Sequence, residues 1–375
     1  MCAWCEAVRL KARSLAVWLL AAAASAGPVP AVAGDAIERF YTLSDFARVD
    51  KIDAHVHVHG SADRFMAQAA HDRFRLLTIN VDYPDFPSLP QQQRDAVSLR
   101  RRFPGRVAFA AAFSVVGFQD TDWAAQAIRQ IEEAVTDGAV GVKIWKNIGM
   151  TLRDADGGYV MIDDARFEPV LAELERRHLV LLAHQAEPLN CWLPMHRMTV
   201  RSDREYFSEH PQYYMYAHPE MPAHDAILAA RDRMIAAHPA LRLDAVHLAS
   251  LEWDVDRVAA FLDRFPNASV DLAARLVHLE YQASRDPGKV RAFLLRYQDR
   301  VLYGSDDAYG PGDADPKAVA EVHSGWLQDW RFLATSDAMH SSDFSAGYRG
   351  LRLPREVLDK VYRANAEALF AGAWH

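Results

Sequence analysis

The chain has 375 residues, of which 50% are hydrophobic and 25% are charged, so it has the composition of an ordinary globular protein. Its formal net charge of −8, its pI near 6.0 and its lack of a long basic run argue against a nucleic-acid-binding surface. We therefore expect a globular protein whose partner is a small molecule.

The first 33 residues have the pattern of a secretory signal peptide. A basic start at residues 9–13 precedes an apolar stretch at 14–24 (SLAVWLLAAAA), and small-residue cleavage sites follow at residues 26 and 33. We expect removal of this segment, export to the periplasm or the extracellular medium, and no stable membrane association of the mature chain. An uncleaved membrane anchor is the alternative, because residues 14–33 carry no charge, but two prolines and the small-residue pairs favour cleavage.

From residue 49 onward, short apolar runs alternate with amphipathic segments. Eight of these runs have the pattern of buried β-strands: 49–58, 75–83, 106–115, 139–145, 179–188, 241–250, 268–276 and 300–309. Between them, apolar residues recur at helical spacing, for example at 123–135, 167–174 and 255–265. Nearly continuous apolar strands that alternate with helices are typical of a parallel sheet covered on both faces. The pattern predicts an α/β protein with a single domain over residues 34–375, built as a closed barrel or as an open doubly wound sheet.

The longest break in this alternation is at residues 190–225, between the fifth predicted strand and its helix. In a barrel, an insertion that follows a strand lies on the catalytic rim. Rim loops would also supply the substrate contacts, for which we select Lys146, Asn147, Tyr214 and Arg275. Lys146 and Arg275 could hold a substrate carboxylate, the arginine through a bidentate contact. A salt bridge from Arg275 to Asp271 or Asp307 is the alternative.

The first predicted strand ends in DAHVHVHG, residues 53–60, with three histidines at alternate positions. Because successive side chains of a strand point to opposite faces, Asp53, His55, His57 and His59 share one face. His59 precedes Gly60, where the strand should turn into a loop, so we expect it at the rim and not as a metal ligand. We expect Asp53 to support the pair His55 and His57 from below.

Polar side chains stand at the carboxyl ends of five predicted strands: His55 and His57 on the first, Lys143 on the fourth, His184 on the fifth, His247 on the sixth and Asp306 on the eighth. In a parallel barrel these ends open onto one mouth, so the side chains would meet there. Imidazole nitrogens and carboxylate oxygens are ligands for divalent metals such as zinc. Each residue alone is more often structural, but their joint placement favours a metal site.

The segments IDAHVHV, GVKIW, LLAHQAEP, DAVHLAS, VLYGSD and KVYRANAEALF resemble the amidohydrolase superfamily, specifically its amidohydrolase-related metal-dependent hydrolases. The resemblance covers residues 49–370. It implies a distorted (β/α)8 TIM barrel with a long insertion after strand five and a C-terminal helix. It also implies that His55, His57 and His184 bind a metal, and that Asp306 is a ligand or the base that activates water.

The resemblance leaves two metal arrangements open. In mononuclear members, the residue at the position of His247 acts on water or substrate without binding the metal. In binuclear members, a carboxylated lysine at the position of Lys143 bridges two metals, and both later histidines bind the second ion. We favour one ion and zinc, with manganese, iron or cobalt as the alternatives.

The main functional hypothesis is metal-dependent hydrolysis of a carboxylic ester, lactone or amide of a small molecule. In this hypothesis Asp306 accepts the proton of the attacking water and His247 stabilises the developing oxyanion. The alternative is a metal-dependent decarboxylase or hydratase that acts on an unsaturated carboxylic acid. A third reading is an exported metal-binding or sensor protein without turnover. The sequence is compatible with a homo-oligomer.

The signal-peptide pattern gives the first testable prediction. We expect mass spectrometry of protein recovered from its native compartment to detect a chain that lacks its first 26 or 33 residues, because a signal peptidase would remove them during export. An intact N-terminus on protein from the cytosol would contradict export.

Overall fold

A computed structural model describes residues 39–310 and 316–374. The predicted signal peptide, residues 1–33, lies outside the described residues, so its cleavage and the start of the domain at residue 34 stay predictions. Within the described part of the chain, no helix combines the length and the hydrophobicity that crossing a bilayer requires.

Nine parallel strands form one curved sheet, in which neighbours follow the order β8-β7-β6-β5-β4-β3-β2-β1-β9. The strands are β1 (Lys51–Val58), β2 (Phe74–Ile79), β3 (Val107–Ala112), β4 (Gly141–Ile144), β5 (Val180–Ala183), β6 (Arg242–Asp244), β7 (Ala268–Asp271), β8 (Val301–Leu302) and β9 (Asp307–Tyr309). All eight predicted strand regions are confirmed, although most are shorter than predicted. β5 ends immediately before His184 and β6 ends before His247, because the chain leaves the sheet where the polar residues begin.

The eighth predicted strand closes the barrel in two pieces. β8 pairs with β7, and β9, a few residues later in the same segment, pairs with β1. Between the two pieces, the Ala54 amide donates to the Tyr303 carbonyl at 3.0 Å and the Asp306 amide donates to the His55 carbonyl at 2.8 Å. The sheet therefore closes on itself as a distorted (β/α)8 barrel, and Asp306 lies at the closure beside β1.

Helices follow the strands and pack their apolar faces against the sheet. The longer ones are Asp63–His71, Leu89–Arg102, Trp123–Thr136, Glu168–Arg176, Arg201–Glu209, His224–Ala237, Val255–Arg264, Leu276–Ala283, Pro287–Arg296 and Pro316–Ala334. Near the C-terminus, Arg355–Asp359 and Asn365–Leu369 are joined by a π-helical turn at Lys360–Ala364, and a short antiparallel pair joins Ala338–Met339 to Tyr348–Arg349. The amphipathic patterns at 123–135, 167–174 and 255–265 are confirmed as helices.

The predicted insertion between β5 and its helix is present. It contains the helix Arg201–Glu209 together with short 3-10 turns at Leu189–Trp192, Met195–Arg197, Pro211–Tyr213 and Met215–Ala217. Asp343, from the C-terminal part of the chain, caps this helix: its Oδ1 accepts from the Ser202 amide at 2.8 Å, and its carbonyl accepts from the Arg201 amide at 3.0 Å. The cap fixes the start of the helix over the carboxyl end of the barrel.

Residues just beyond the strand ends adopt left-handed backbone conformations. His247, Leu248, Ala249 and Ser250 have consecutive φ angles of 61, 55, 57 and 51°, and Asp306 has a φ of 69°. For residues with a side chain, this conformation costs roughly 1–2 kcal/mol each. The left-handed backbone therefore includes two residues that the sequence predicts to be functional.

Candidate metal centre

His55, His57 and Asp306 converge at the mouth of the barrel. The Nε2 atoms of His55 and His57 each lie 3.2 Å from Asp306 Oδ1. All three side chains are buried, and their candidate ligand atoms lie within 4.8 Å of one another. The period-two alternation of β1 places the two imidazoles on one face, and the barrel closure brings Asp306 against them.

The other ring nitrogen of each histidine identifies the tautomer. His57 Nδ1 lies 2.7 Å from the Ile79 carbonyl, and His55 Nδ1 lies 2.5 Å from Asp271 Oδ2. A carbonyl or a carboxylate oxygen can only accept, so in both neutral rings the proton is on Nδ1 and Nε2 carries a lone pair. In the neutral rings the two Nε2 atoms therefore face Asp306 Oδ1 as electron-pair donors, whereas a protonated His57 ring would donate from Nε2 to Asp306.

This donor set fits a divalent metal. Two ligand atoms that are each 2.0–2.1 Å from a tetrahedral zinc ion are about 3.3 Å apart, close to the observed 3.2 Å. Burial lowers the pKa of His55, assisted by the nearby Lys143, and this favours the neutral imidazole that metals bind. Burial by itself would raise the pKa of the Asp306 carboxyl, but the positive charge that the His247, His55 and His57 rings carry when protonated, together with a hydrogen bond from His57, holds that pKa below its usual range.

His184 and His247 lie in the same region without joining the three-atom set. Their rings are 4.3 Å apart, and the His247 ring is 4.8 Å from that of His55. His247 Nδ1 lies 3.0 Å from the Ala273 carbonyl, so its Nε2 also carries a lone pair. His184 Nε2 is buried and has no hydrogen-bond partner among the described residues. Burial lowers the pKa of both rings well below the usual value.

Lys143 points into this centre from β4. Its Nζ lies 3.2 Å from His55 Nε2, and burial lowers its pKa to about 8. An ammonium group here and a metal would compete for the same lone pair of His55.

A second group of metal-ligand types, His55, His247 and Asp271, is also compact. Hydrogen bonds explain it, since Asp271 accepts from the His55 ring at 2.5 Å and from the His247 amide at 2.6 Å. Sequence reasoning did not select Asp271 as a site residue. The predicted seventh strand ran to residue 276 and placed Asp271 in its interior, so its position at the carboxyl end of β7 became visible only in the structure.

A cavity adjoins the centre, and its lining includes both predicted substrate-binding cations, Lys146 and Arg275. Lys146 forms an ion pair with the buried Glu187 and lies 5.0–5.6 Å from the centroids of three rings, those of Trp145, Tyr206 and Tyr213. Its charge is therefore already compensated by the protein.

Unlike Lys146, Arg275 has no carboxylate within salt-bridge distance among the described residues. It is buried, its Nη1 donates to the Ala274 carbonyl at 3.2 Å, and its Nε has no partner among the described residues. The carboxylate of Asp271, one of the two predicted salt-bridge partners, is engaged by His55 and His247 instead. Among the described residues, Arg275 forms no ion pair with either Asp271 or Asp307.

The other two predicted substrate contacts do not reach the cavity. The Tyr214 hydroxyl donates to the Leu193 carbonyl at 2.8 Å and its ring packs in the core, while Asn147 Oδ1 accepts from the Ile148 amide at 3.0 Å. From the same insertion, Asp203, Tyr206 and Phe207 line the cavity in place of Tyr214. The helix Arg201–Glu209 presents these three residues, and neither its presence nor its register was predicted.

Two further polar residues, Asp53 within the first strand and His59 directly after it, have well-defined surroundings. His59 is buried, its ring lies 4.7 Å from that of Phe86, and neither ring nitrogen has a partner among the described residues. It is not part of either compact group of ligand atoms. Asp53 Oδ1 accepts from the amides of His55 at 3.2 Å and Ser305 at 3.0 Å, and therefore ties β1 to the residue before Asp306.

The chain was compared with protein-family models, curated proteins and solved structures. A family model described as amidohydrolase matches residues 52–372, and the comparison with curated proteins finds no match.

Among solved structures, an uncharacterized TIM-barrel protein from Bordetella bronchiseptica has a TM-score of 0.51 at 15% identity, covering 87% of this chain and 100% of that one. A protein described as amidohydrolase II has a TM-score of 0.51 at 16% identity, covering 86% and 99%. A probable 2-pyrone-4,6-dicarboxylic acid hydrolase from Acinetobacter baumannii has a TM-score of 0.50 at 11% identity, covering 86% and 99%. These likenesses agree with the barrel fold.

The donor set gives a prediction about metal content. We expect His55→Ala to lose the bound metal, because it removes one of the three facing electron-pair donors, whereas His71→Ala, at an exposed histidine, should keep it. Elemental analysis of the purified variants measures this, with one ion per chain expected for the unaltered protein. Full metal content in His55→Ala would contradict the ligand set, and two ions that fall to one or none in Lys143→Ala would contradict the single-ion assignment.

Proposed function

The chain belongs to the amidohydrolase family of metal-dependent enzymes, and on this premise we propose that it is a hydrolase in which an activated water attacks a carboxylic ester, lactone or amide of a small molecule. The observation that carries the proposal is the set of three facing electron-pair donors beside a cavity. Gathering buried acceptors is favourable only where a cation joins them, the place that Lys143 Nζ takes beside His55 Nε2 and that a bound metal would take for all three.

The same observation supports the ligand assignment. We assign His55, His57 and Asp306 as ligands and His184 as a further ligand, since its buried Nε2 lacks a partner among the described residues. We favour one zinc ion, because imidazole and carboxylate donors suit it. When bound, such a metal supplies a water nucleophile with a pKa of about 7 and polarises the substrate carbonyl.

The tautomer of His247 bears on its role. Sequence reasoning assigned it to the oxyanion, but its Nδ1 proton is directed at the Ala273 carbonyl, so Nε2 has a lone pair and cannot donate a hydrogen bond. We therefore propose that His247 accepts a proton, together with Asp306. Lys143 and Arg275, cations of the cavity that form no salt bridge within the described part of the chain, are better suited to face the developing negative charge.

Arg275 indicates the kind of substrate. A buried guanidinium with an unpartnered Nε is energetically unfavourable by itself, and a substrate carboxylate would satisfy it. Lys146 is less suited to this task because Glu187 already pairs with it. We propose that the substrate carries a carboxylate that Arg275 holds.

We also propose that the reaction takes place outside the cytoplasm. The support for this is the signal-peptide pattern of residues 1–33.

Isotope labelling tests the reaction type. In water enriched in oxygen-18, we expect the metal-loaded protein to cleave an ester, lactone or amide from a substrate panel and to place one label in the carboxyl product, as detected by mass spectrometry. Asp306→Asn should reduce turnover by about 10²–10⁴-fold through loss of a ligand and proton acceptor, whereas Asn at the exposed Asp299 should leave it unchanged.

Other label patterns would contradict hydrolysis. Release of carbon dioxide without label in the organic product would identify a decarboxylase, and label added across a carbon-carbon double bond would identify a hydratase. Absence of turnover with any divalent metal over the panel would favour a metal-binding protein.

Arg275 gives a separate prediction about specificity. We expect Arg275→Met to raise KM for a substrate with a carboxylate by about 10–100-fold, the loss of one charge-assisted contact of 1.5–3 kcal/mol, and to change little for the matched neutral ester. Arg285→Met, at an exposed position, is the control. Steady-state kinetics on the pair of substrates measures the difference, and an equal effect on both would contradict carboxylate binding by Arg275.

A further inference from the structure

Asp271 is the last residue of β7 and is fully buried, yet it lies outside the set of three facing donors. Its carboxylate contacts two different parts of the site. Oδ2 lies 2.5 Å from His55 Nδ1, whereas Oδ1 accepts from the His247 amide at 2.6 Å and from the Ala273 amide at 3.3 Å. One side chain therefore joins a residue of the first strand to the turn that follows the sixth.

The contact with His55 controls which nitrogen of that ring carries the proton. Because a carboxylate oxygen only accepts, it retains the proton on Nδ1 and leaves the lone pair on Nε2, which faces Asp306 at 3.2 Å. With the proton on Nε2 instead, the ring could not act as a ligand from that atom.

The contact of Asp271 with the His247 amide stabilises a stretch of backbone in the left-handed conformation. His247 begins the run of four left-handed residues that ends at Ser250. The backbone amide of His247 donates to Asp271. The Nδ1 atom of the His247 ring is directed at the carbonyl of Ala273, which lies two residues after Asp271 in the chain. The end of β7 therefore holds both the backbone and the ring of His247.

We propose that Asp271 is a positioning residue that fixes, with its two carboxylate oxygens, the metal-binding tautomer of His55 and the left-handed turn that carries His247. The inference rests on the proposed function in so far as these two histidines serve a metal-dependent reaction. It extends that function because one carboxylate, which itself binds neither metal nor substrate, would determine both the tautomer of His55 and the position of His247.

An amide at this position separates the two contacts. In Asp271→Asn, the amide oxygen can still accept from the amides of His247 and Ala273, so the turn is retained. Its NH2 group, however, would donate to His55 Nδ1 and drive the ring proton to Nε2, where it opposes metal binding. Asp271→Ala removes both contacts.

The control is Asp244→Asn. Asp244 is an equally buried carboxyl at the end of β6, and neither of its oxygens has a hydrogen-bond partner among the described residues. Asp244 acts on Asp271 through charge and not through a hydrogen bond, so Asp244→Asn tests whether a change of buried charge alone is enough to move the His55 proton.

The experiment reads the tautomers by nitrogen-15 NMR of the imidazole rings in the metal-free protein and measures zinc affinity by competition with a chelator. We expect the unaltered protein and Asp244→Asn to have His55 protonated on Nδ1. Asp271→Asn should move that proton to Nε2, leave the His247 tautomer unchanged and weaken zinc binding by about 10–100-fold. Asp271→Ala should disturb the signals of both rings.

Three results would overturn the inference. The first is a His55 ring protonated on Nε2 in the unaltered metal-free protein, a result that needs no variant to fold. The second is an Asp271→Asn variant with unchanged tautomer and affinity. The third is loss of zinc with an unchanged tautomer, which would identify Asp271 as a ligand. A tautomer change in a protein without hydrolytic activity would support the positioning role while contradicting the proposed hydrolysis.

Discussion

The structure depends on keeping three electron-pair donors together in a buried position. His55 Nε2 and His57 Nε2 each lie 3.2 Å from Asp306 Oδ1, and in the neutral rings neither nitrogen has a proton to share there. Such a cluster is unfavourable by itself, so the rest of the molecule must hold it in place. The strand alternation, the barrel closure and the polar contacts behind the histidines all serve this requirement.

The closure of the barrel and the orientation of the rings are coupled through two buried carboxylates. Asp53 binds the amide of Ser305 and so fixes the segment that presents Asp306, while Asp271 binds the ring of His55 and the amide of His247. The left-handed residues lie where these contacts act. Hydrogen bonds that are fully buried can stabilise a backbone conformation that the residues alone would avoid.

Local periodicity in the sequence predicted the strands and the core of the candidate site. Alternation identified the eight strand regions and the shared face of His55 and His57, and the carboxyl-end rule for parallel strands brought Asp306 to them. It did not predict contacts that depend on tertiary packing, such as the pairing of Lys146 with Glu187 or the hydrogen bond of Tyr214 to the Leu193 carbonyl. The left-handed turn after β6 had no sequence signal, because Leu, Ala and Ser rarely adopt that conformation and one histidine, although more tolerant of it, does not predict a run of four.

The hydrogen-bond pattern divides the cavity into two electrostatic sides. The ring nitrogens Nδ1 of His55, His57 and His247 are each directed at an oxygen that can only accept, so all three rings present lone pairs inward, which suits a cation. The guanidinium of Arg275, with an unpartnered nitrogen, suits an anion. Glu187 neutralises Lys146, whereas Lys143 Nζ beside His55 Nε2 adds a positive charge on the side of the rings, the place that a bound metal would take. In the proposed function, a substrate carboxylate would be attracted to Arg275 and repelled by Asp306, which would leave the proposed metal ligands free for the bond to be cleaved.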